Sequence, residues 1–175
     1  MKKIFKLCIY FLFFILFLLI FLPKESIYNL LEQKLSQQNI IISDEKRNEK
    51  LLSLDIKNAN VFYNEVKGVN IRDINFFSLL VYSKVEVNDV KLLESLSSFF
   101  PPFIKNIELK HSVLDYQNIN ISSLGDFGLL NGKIDLLNRV LILNLDPSSE
   151  MKRKYIKVLK NMKLKEGRYN YEYRF

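Results

Sequence analysis

Along this chain the spacing of apolar residues changes several times, and each change predicts a different element. An uncharged apolar run from Leu7 to Leu22 follows Lys2, Lys3 and Lys6. With Ile4 and Phe5 counted and Lys6 snorkelling, a helix over this run is just long enough for a hydrocarbon layer of roughly 30 Å. After Pro23, Ile27, Leu30, Leu31 and Leu35 recur at helical spacing and predict a short juxtamembrane helix, followed by a polar loop, IISDEKRNEK. From Leu51 the period becomes two: Leu52, Leu54 and Ile56 alternate with Ser53, Asp55 and Lys57.

The strand pattern continues through NVFYNEV and KGVNIRDINFF, with Gly68 placed for a turn or bulge, and through LLVYSKVEVNDVKL. LLESLSSFF reads as a helical or irregular connection closed by Pro101 and Pro102, which cannot continue a helix. FIKNIELK and HSVLDYQNINI follow as strands, with Ile107 and Leu109, then Ile119 and Ile121, on apolar faces. LGDFGLLNGKIDLLNRVLILNLD offers hairpins around Asn131-Gly132, the strongest local turn signal in the chain, and around Asn138.

A second helical stretch follows. Asp146 is placed to cap it, Pro147 suits its first position, and Met151, Tyr155, Val158, Leu159 and Met162 form its apolar stripe. Its opposite face carries Lys152, Arg153, Lys154, Lys157, Lys160 and Lys163, the candidate contacts to an anionic membrane surface. The narrow stripe favours a helix packed on a sheet with this basic face in water. Gly167 ends it, and YNYEYRF predicts a last strand burying Tyr169, Tyr171, Tyr173 and Phe175 on one side. An outer-membrane barrel can also end on aromatics, but a spanning helix at the front would hold the chain in the inner membrane.

The expected organisation is therefore a membrane anchor over 1–23, a juxtamembrane helix and linker over 24–50, and a β-rich domain over 51–175. The fold class is mainly β with minor α. The small residues of a signal-peptide cleavage site are missing around Phe21, Leu22 and Pro23, so the anchor is expected to stay uncleaved. Lysines on its amino-terminal side place that end in the cytoplasm and the domain across the membrane. In a cell with two membranes the chain is then a single-pass inner-membrane protein with a periplasmic domain.

The net charge of +7 changes little, because a composition rich in Lys, Asn, Ile and Phe with one alanine makes single lysines uninformative. Nucleic acid is not expected as a partner, since the basic face lacks interleaved aromatics and lies outside the cytoplasm. Cys8, the one cysteine, stands at the start of the apolar run, where a lipoprotein cysteine would follow it, and reads as an ordinary membrane residue. His111, the one histidine, has no nucleophile-elbow pattern to serve, and metal sites normally draw on more than one His or Cys. Asp115, Asp126 and Asp135 read as solvated carboxylates, and GDFG at Gly125 to Gly128 as a turn or bulge, not a phosphate loop. Neither catalysis nor a cofactor is expected.

In its layout the chain resembles the type II secretion protein N family and the broader AsmA-like group. The likeness lies in the lysine-started anchor, the juxtamembrane helix and strands carrying NANVFYNEVKGVNIRDINF, FFPPFIKNIELKHSVLDY and LGDFGLLNGKIDLLNRVLILNLDPS. The resemblance implies a curved antiparallel periplasmic sheet tethered to the inner membrane and associated with envelope secretion proteins. Its alternative implication is an AsmA-like module that carries lipid in an apolar groove. A closed, packed inner face would fit the first, and an open apolar groove the second.

Overall fold

A computed structural model describes residues 2–20, 23–79, 81–93, 97 and 99–175. Helix α1 covers Lys2–Ile20 and α2 covers Lys24–Ser36. Then come β1 (Ile40–Ser43), β2 (Lys46–Glu49), β3 (Ser53–Tyr63), β4 (Val66–Ser78), β5 (Tyr82–Leu92), β6 (Phe103–Ser112), β7 (Asp115–Gly125), β8 (Gly128–Asp135) and β9 (Val140–Pro147). Two short helices, α3 (Ser149–Lys154) and α4 (Ile156–Leu159), precede β10 (Lys163–Lys165) and β11 (Arg168–Arg174). The protein is mainly β, as its alternation predicts, and its strands form one curved antiparallel sheet.

The 11-stranded sheet runs β1-β3-β4-β5-β6-β7-β8-β9-β11-β10, with β2 beside β1 on the same edge of β3. Opposed residues of an antiparallel pair share a face. The register therefore carries one apolar row across it: Leu54, Phe76, Val85, Leu109, Ile121, Gly132, Leu143, Tyr171. A second row runs Ile56, Ile74, Val87, Ile107, Ser123, Leu130, Leu145, Tyr169 on the same face. The opposite face is polar, with Asp55, Asn75, Glu86, Glu108, Ser122, Asn131 and Asn144 in register. Gly68 is a bulge, since Val61 pairs with Val69 and Phe62 with Lys67.

Two packed clusters sit on the apolar face. Near one end Tyr28 of α2 joins Leu54, Ile56 and Ala59. Near the other, Met151 and Leu159 of α3 and α4 join Leu145, with Leu130, Phe127 and Tyr169 around them. Each helical element covers a few strands, and the apolar strip between them is only half-buried at Val85, Val87, Ile107, Leu109 and Ile121.

Several expectations are corrected. Asn131-Gly132 is not a turn but the middle of β8. A Cβ on Gly132 would stand 2.4 Å from the Ile142 carbonyl oxygen and 2.7 Å from Leu143 Cδ2, so this glycine answers close approach by β9. The turn before β8 is instead GDFG, with Gly128 at φ +111°. The segment read as a polar loop contributes β1 and β2, separated at Asp44, whose φ is 65°. Asp146 does not cap the late helix: β9 runs through Pro147, and Ser148 Oγ accepts from Met151 N at 3.0 Å while donating to the Asp126 carbonyl at 2.5 Å. That helix is two short ones broken at Tyr155, and Lys163, placed on its basic face by the sequence, belongs to β10. Of the connection LLESLSSFF, residues 94–96 and 98 lie outside those described.

Among the described residues, no helix is long and apolar enough to cross a membrane. Three lysines occupy the first five residues of α1, and its lysine-free part, Leu7–Ile20, rises only about 21 Å. Phe21 and Leu22, which complete the expected span, lie outside the described residues. From Lys3 to Phe17 every side chain but Ile15 is exposed, on all sides of the helix. An apolar stripe confined to one side would mark a helix lying on a core, and α1 has no such confinement.

Candidate functional site

The uncovered apolar strip deepens into a cavity at the α3 and α4 end. Its floor comes from β8 and β9 through Leu130, Leu143 and Leu145, with Ile104 of β6 and Tyr171 of β11 at its sides. Met151 and Val158 close it from the helices, Met162 from the turn after them, and Phe100 and Phe127 from loops. The volume is about 430 Å³, within the range of roughly 300–1,000 Å³ typical of small-molecule sites. Asn161 and the Tyr171 hydroxyl are the polar groups among these side chains. Smaller cavities lined by Leu, Ile and Phe stay dry, so this lining favours an apolar occupant over water.

Local chemistry fixes the cavity roof. Ser148 ties the start of α3 to the β7–β8 turn, and its backbone N–H donates to the Phe127 carbonyl at 2.9 Å. Tyr155, at the break between the helices, donates its hydroxyl to the Ser97 carbonyl at 3.1 Å, fastening the roof to the β5–β6 connection. Gly132 lets Leu143 lie across β8 towards the cavity, where a larger residue would displace it.

The basic side chains named from the sequence lie beside this roof. Lys152, Arg153, Lys154, Lys157 and Lys160 are exposed on α3, α4 and the turn after them, while Lys163 lies apart on the edge strand. Lys154 pairs with Glu150 at 2.6 Å, and that neighbour holds the Glu150 carboxyl below its ordinary range. A recess lined by Phe99, Tyr155, Ile156, Lys154 and Lys157 adjoins the cavity and shares Phe100, Val158 and Asn161 with it.

The closing aromatics are partly corrected. Tyr169, Tyr171 and Tyr173 share one face, but only Tyr169 packs into the core; Tyr173 and Phe175 are 52% and 57% exposed. No roof stands over their end of β11. The chain end is still held, since Phe175 N donates to the Arg139 carbonyl at 3.0 Å.

Other candidate chemistry stays dispersed. His111 Nε2 lies 3.1 Å from the Tyr116 carbonyl across the β6–β7 hairpin. Asp135 accepts from the Asn138 side-chain amide at 2.8 Å and from Asn138 N and Leu137 N in the β8–β9 turn, and these bonds, the Asn138 side chain first, pull its carboxyl below the usual range. Asp115 accepts from Asn118 at 2.7 Å, and Asp126 lies in the β7–β8 turn. No cluster of His, Cys, Asp and Glu suited to a metal occurs among the described residues. On the polar face Glu108 bridges Lys110 and Lys84 at 2.6 and 2.8 Å. The Lys110 contact first, then Lys84, brings its carboxyl down to about 2, and Glu108 followed by Glu86, which also pairs with Lys84, raises the Lys84 amine.

No protein-family model, curated protein or solved structure matches the chain.

Proposed function

We propose that this protein is a membrane-attached, non-enzymatic module that takes a lipid acyl chain into the apolar face of its sheet. The observation that carries the reading is the cavity of about 430 Å³ opening from an uncovered apolar strip. From β3 to β9 the strip crosses six interstrand steps, about 29 Å. Every methylene moved from water onto such a surface gains roughly 0.8 kcal/mol, so an acyl chain is a natural occupant. Of the two implications of the resemblance, the AsmA-like one calls for an open apolar groove.

Membrane attachment falls to α1, whose apolar side chains from Leu7 to Phe17, all but Ile15 exposed, follow Lys2, Lys3 and Lys6. The described helix alone is too short and too charged to cross, but read as sequence with the apolar Phe21 and Leu22 that follow it, and with Lys6 snorkelling, the segment supports a single crossing with the amino terminus in the cytoplasm. Ile27, Leu30 and Leu31 of α2, between 41% and 61% exposed, extend the apolar surface just beyond it. The sheet then stands at an inner membrane on its periplasmic side. The type II secretion N-like reading, an accessory component of a secretion apparatus, would use a sheet edge to bind a partner. The β10 edge offers three residues, two of them lysines, as such a strip.

The test is photocrosslinking of the full chain in detergent with a phospholipid bearing a diazirine on its acyl chain. Labelled peptides are expected from 127–130, 143–145 and 151–162. Label confined to residues 4–20 would reduce the lipid contact to the anchor and defeat the proposal. Protease accessibility in oriented inner-membrane vesicles tests the topology separately.

A further inference from the structure

Resting on the acyl-chain reading, we infer that the occupant carries an anionic headgroup, held at the cavity mouth by Lys154 and Lys157. The recess holding these lysines and the apolar cavity are neighbours with a common wall: Phe100, Val158 and Asn161 line both. A lipid seated with its chain between Leu143, Leu145 and Met162 thus passes its polar end over Val158 into a basic recess. Asn161 stands on that path as a hydrogen-bonding side chain beside an otherwise carbon wall.

Among the described residues lining the recess, the charged ones are both cations, Lys154 and Lys157. Residues 149–160 carry Lys152, Arg153, Lys154, Lys157 and Lys160 against one acid, Glu150. Glu150 engages Lys154 at 2.6 Å, with both side chains about half exposed, so this pair can open toward a phosphate at little cost. Lys157, past the break at Tyr155, lines the same recess and is exposed. Around the lysines, Phe99, Phe100 and Ile156 are 63%, 50% and 52% exposed. Together they form an apolar collar with cations in it, matched to an amphiphile with a negative headgroup. A zwitterionic headgroup would bring its own cation to a site already rich in cations.

The experiment uses the full chain purified in zwitterionic detergent and incubated with equal amounts of phosphatidylglycerol and phosphatidylcholine of identical acyl chains. Bound lipid is extracted after gel filtration and quantified by mass spectrometry, at low and at 0.5 M salt. A Leu143→Trp variant, which fills the cavity, measures lipid held by α1 alone, and Val158→Trp serves the same end should the first not fold. The cavity-held lipid is expected to favour phosphatidylglycerol about fivefold at low salt, and less at 0.5 M, where the Debye length is short. Lys154→Gln with Lys157→Gln should bring the ratio close to one while the total stays unchanged. Equal loading of both lipids in the native chain, or an undiminished preference in the double variant, overturns the headgroup assignment and leaves the acyl-chain reading standing. Lipid equal in the native and filled variants overturns that reading instead.

Discussion

Arg47 is the joint between α2 and the sheet, and its loss should loosen the two from each other. Its guanidinium lies 4.6 Å from the Tyr28 ring centroid, bonds Asn29 at 2.6 Å and Glu32 at 2.8 Å, and clasps Glu45. Burial pulls the Glu45 carboxyl up, but the Arg47 hydrogen bond and charge outweigh it and leave that group below its ordinary range. Arg47→Met keeps an unbranched apolar stem and removes the charged guanidinium. The ring contact is worth about 0.5–1 kcal/mol and the Glu32 pair, its side chains about a quarter exposed, about the same. Glu45, whose side chain is 8% exposed, is then left unpaired, at about 1–3 kcal/mol. The expected loss is about 3 kcal/mol, or roughly 6–12 °C for a chain of this size. Thermal unfolding of the full chain in detergent by circular dichroism measures it, with amide exchange over 24–36 reporting on α2. Glu45→Gln added to the variant should recover about a third of the loss. Acid should narrow the gap, because the Glu45 contribution is present above the ordinary glutamate range and fades as pH falls through its lowered folded value. A melting point within 1 °C of the native chain, with exchange over 24–36 unchanged, would refute the joint.

Gly132→Ala should destabilise the protein by about 1–3 kcal/mol by forcing β9 away, whereas Asn131→Ala, on the exposed polar face, should stay within about 0.5 kcal/mol; chemical denaturation of both distinguishes a close approach from an Asn-Gly turn. Glu108→Gln should cost about 1 kcal/mol at neutral pH. Since the folded carboxyl titrates at about 2 and the ordinary value is 4.5, the native advantage over this variant should be complete above pH 4.5 and disappear between there and pH 2, read from melting points across that range. Deleting residues 169–175 removes the β9–β11 ladder and the Tyr169 packing, so the shortened chain should melt several degrees lower; an unchanged melt would mean that β11 contributes nothing to the fold.

The long central strands were legible because each buries one face, so residues such as Val85 and Val87 had to alternate with Lys84 and Glu86. The edge strands were not: β1 is three isoleucines and a serine, and β2 is polar throughout, so neither alternates. Asn131-Gly132 misled because glycine serves two different needs, a left-handed turn and close packing, and only the position of β9 tells which applies. The aromatic tail showed its shared face but not its burial, since burial depends on a roof that reaches Tyr169 and stops short of Tyr173. The stripe from Met151 to Met162 was visible as a packing face, although the break at Tyr155 was not. The cavity itself could not be read, because Phe100, Leu143 and Met162 meet only through the order of the strands. The basic residues from Lys152 to Lys160 were visible, but their place beside an apolar hollow was not.

From β3 to β9 the strands follow one another in chain order, each paired with the one before. In such an arrangement a hairpin is a modular unit: adding one between β4 and β5 keeps β3 beside β4 at one helical end and leaves Ile104, Phe100 and the Tyr155–Ser97 bond in place at the other. Each hairpin changes the separation between the α2 end and the cavity by about 10 Å. The number of hairpins therefore works as a ruler, setting how far from the anchor the hollow stands.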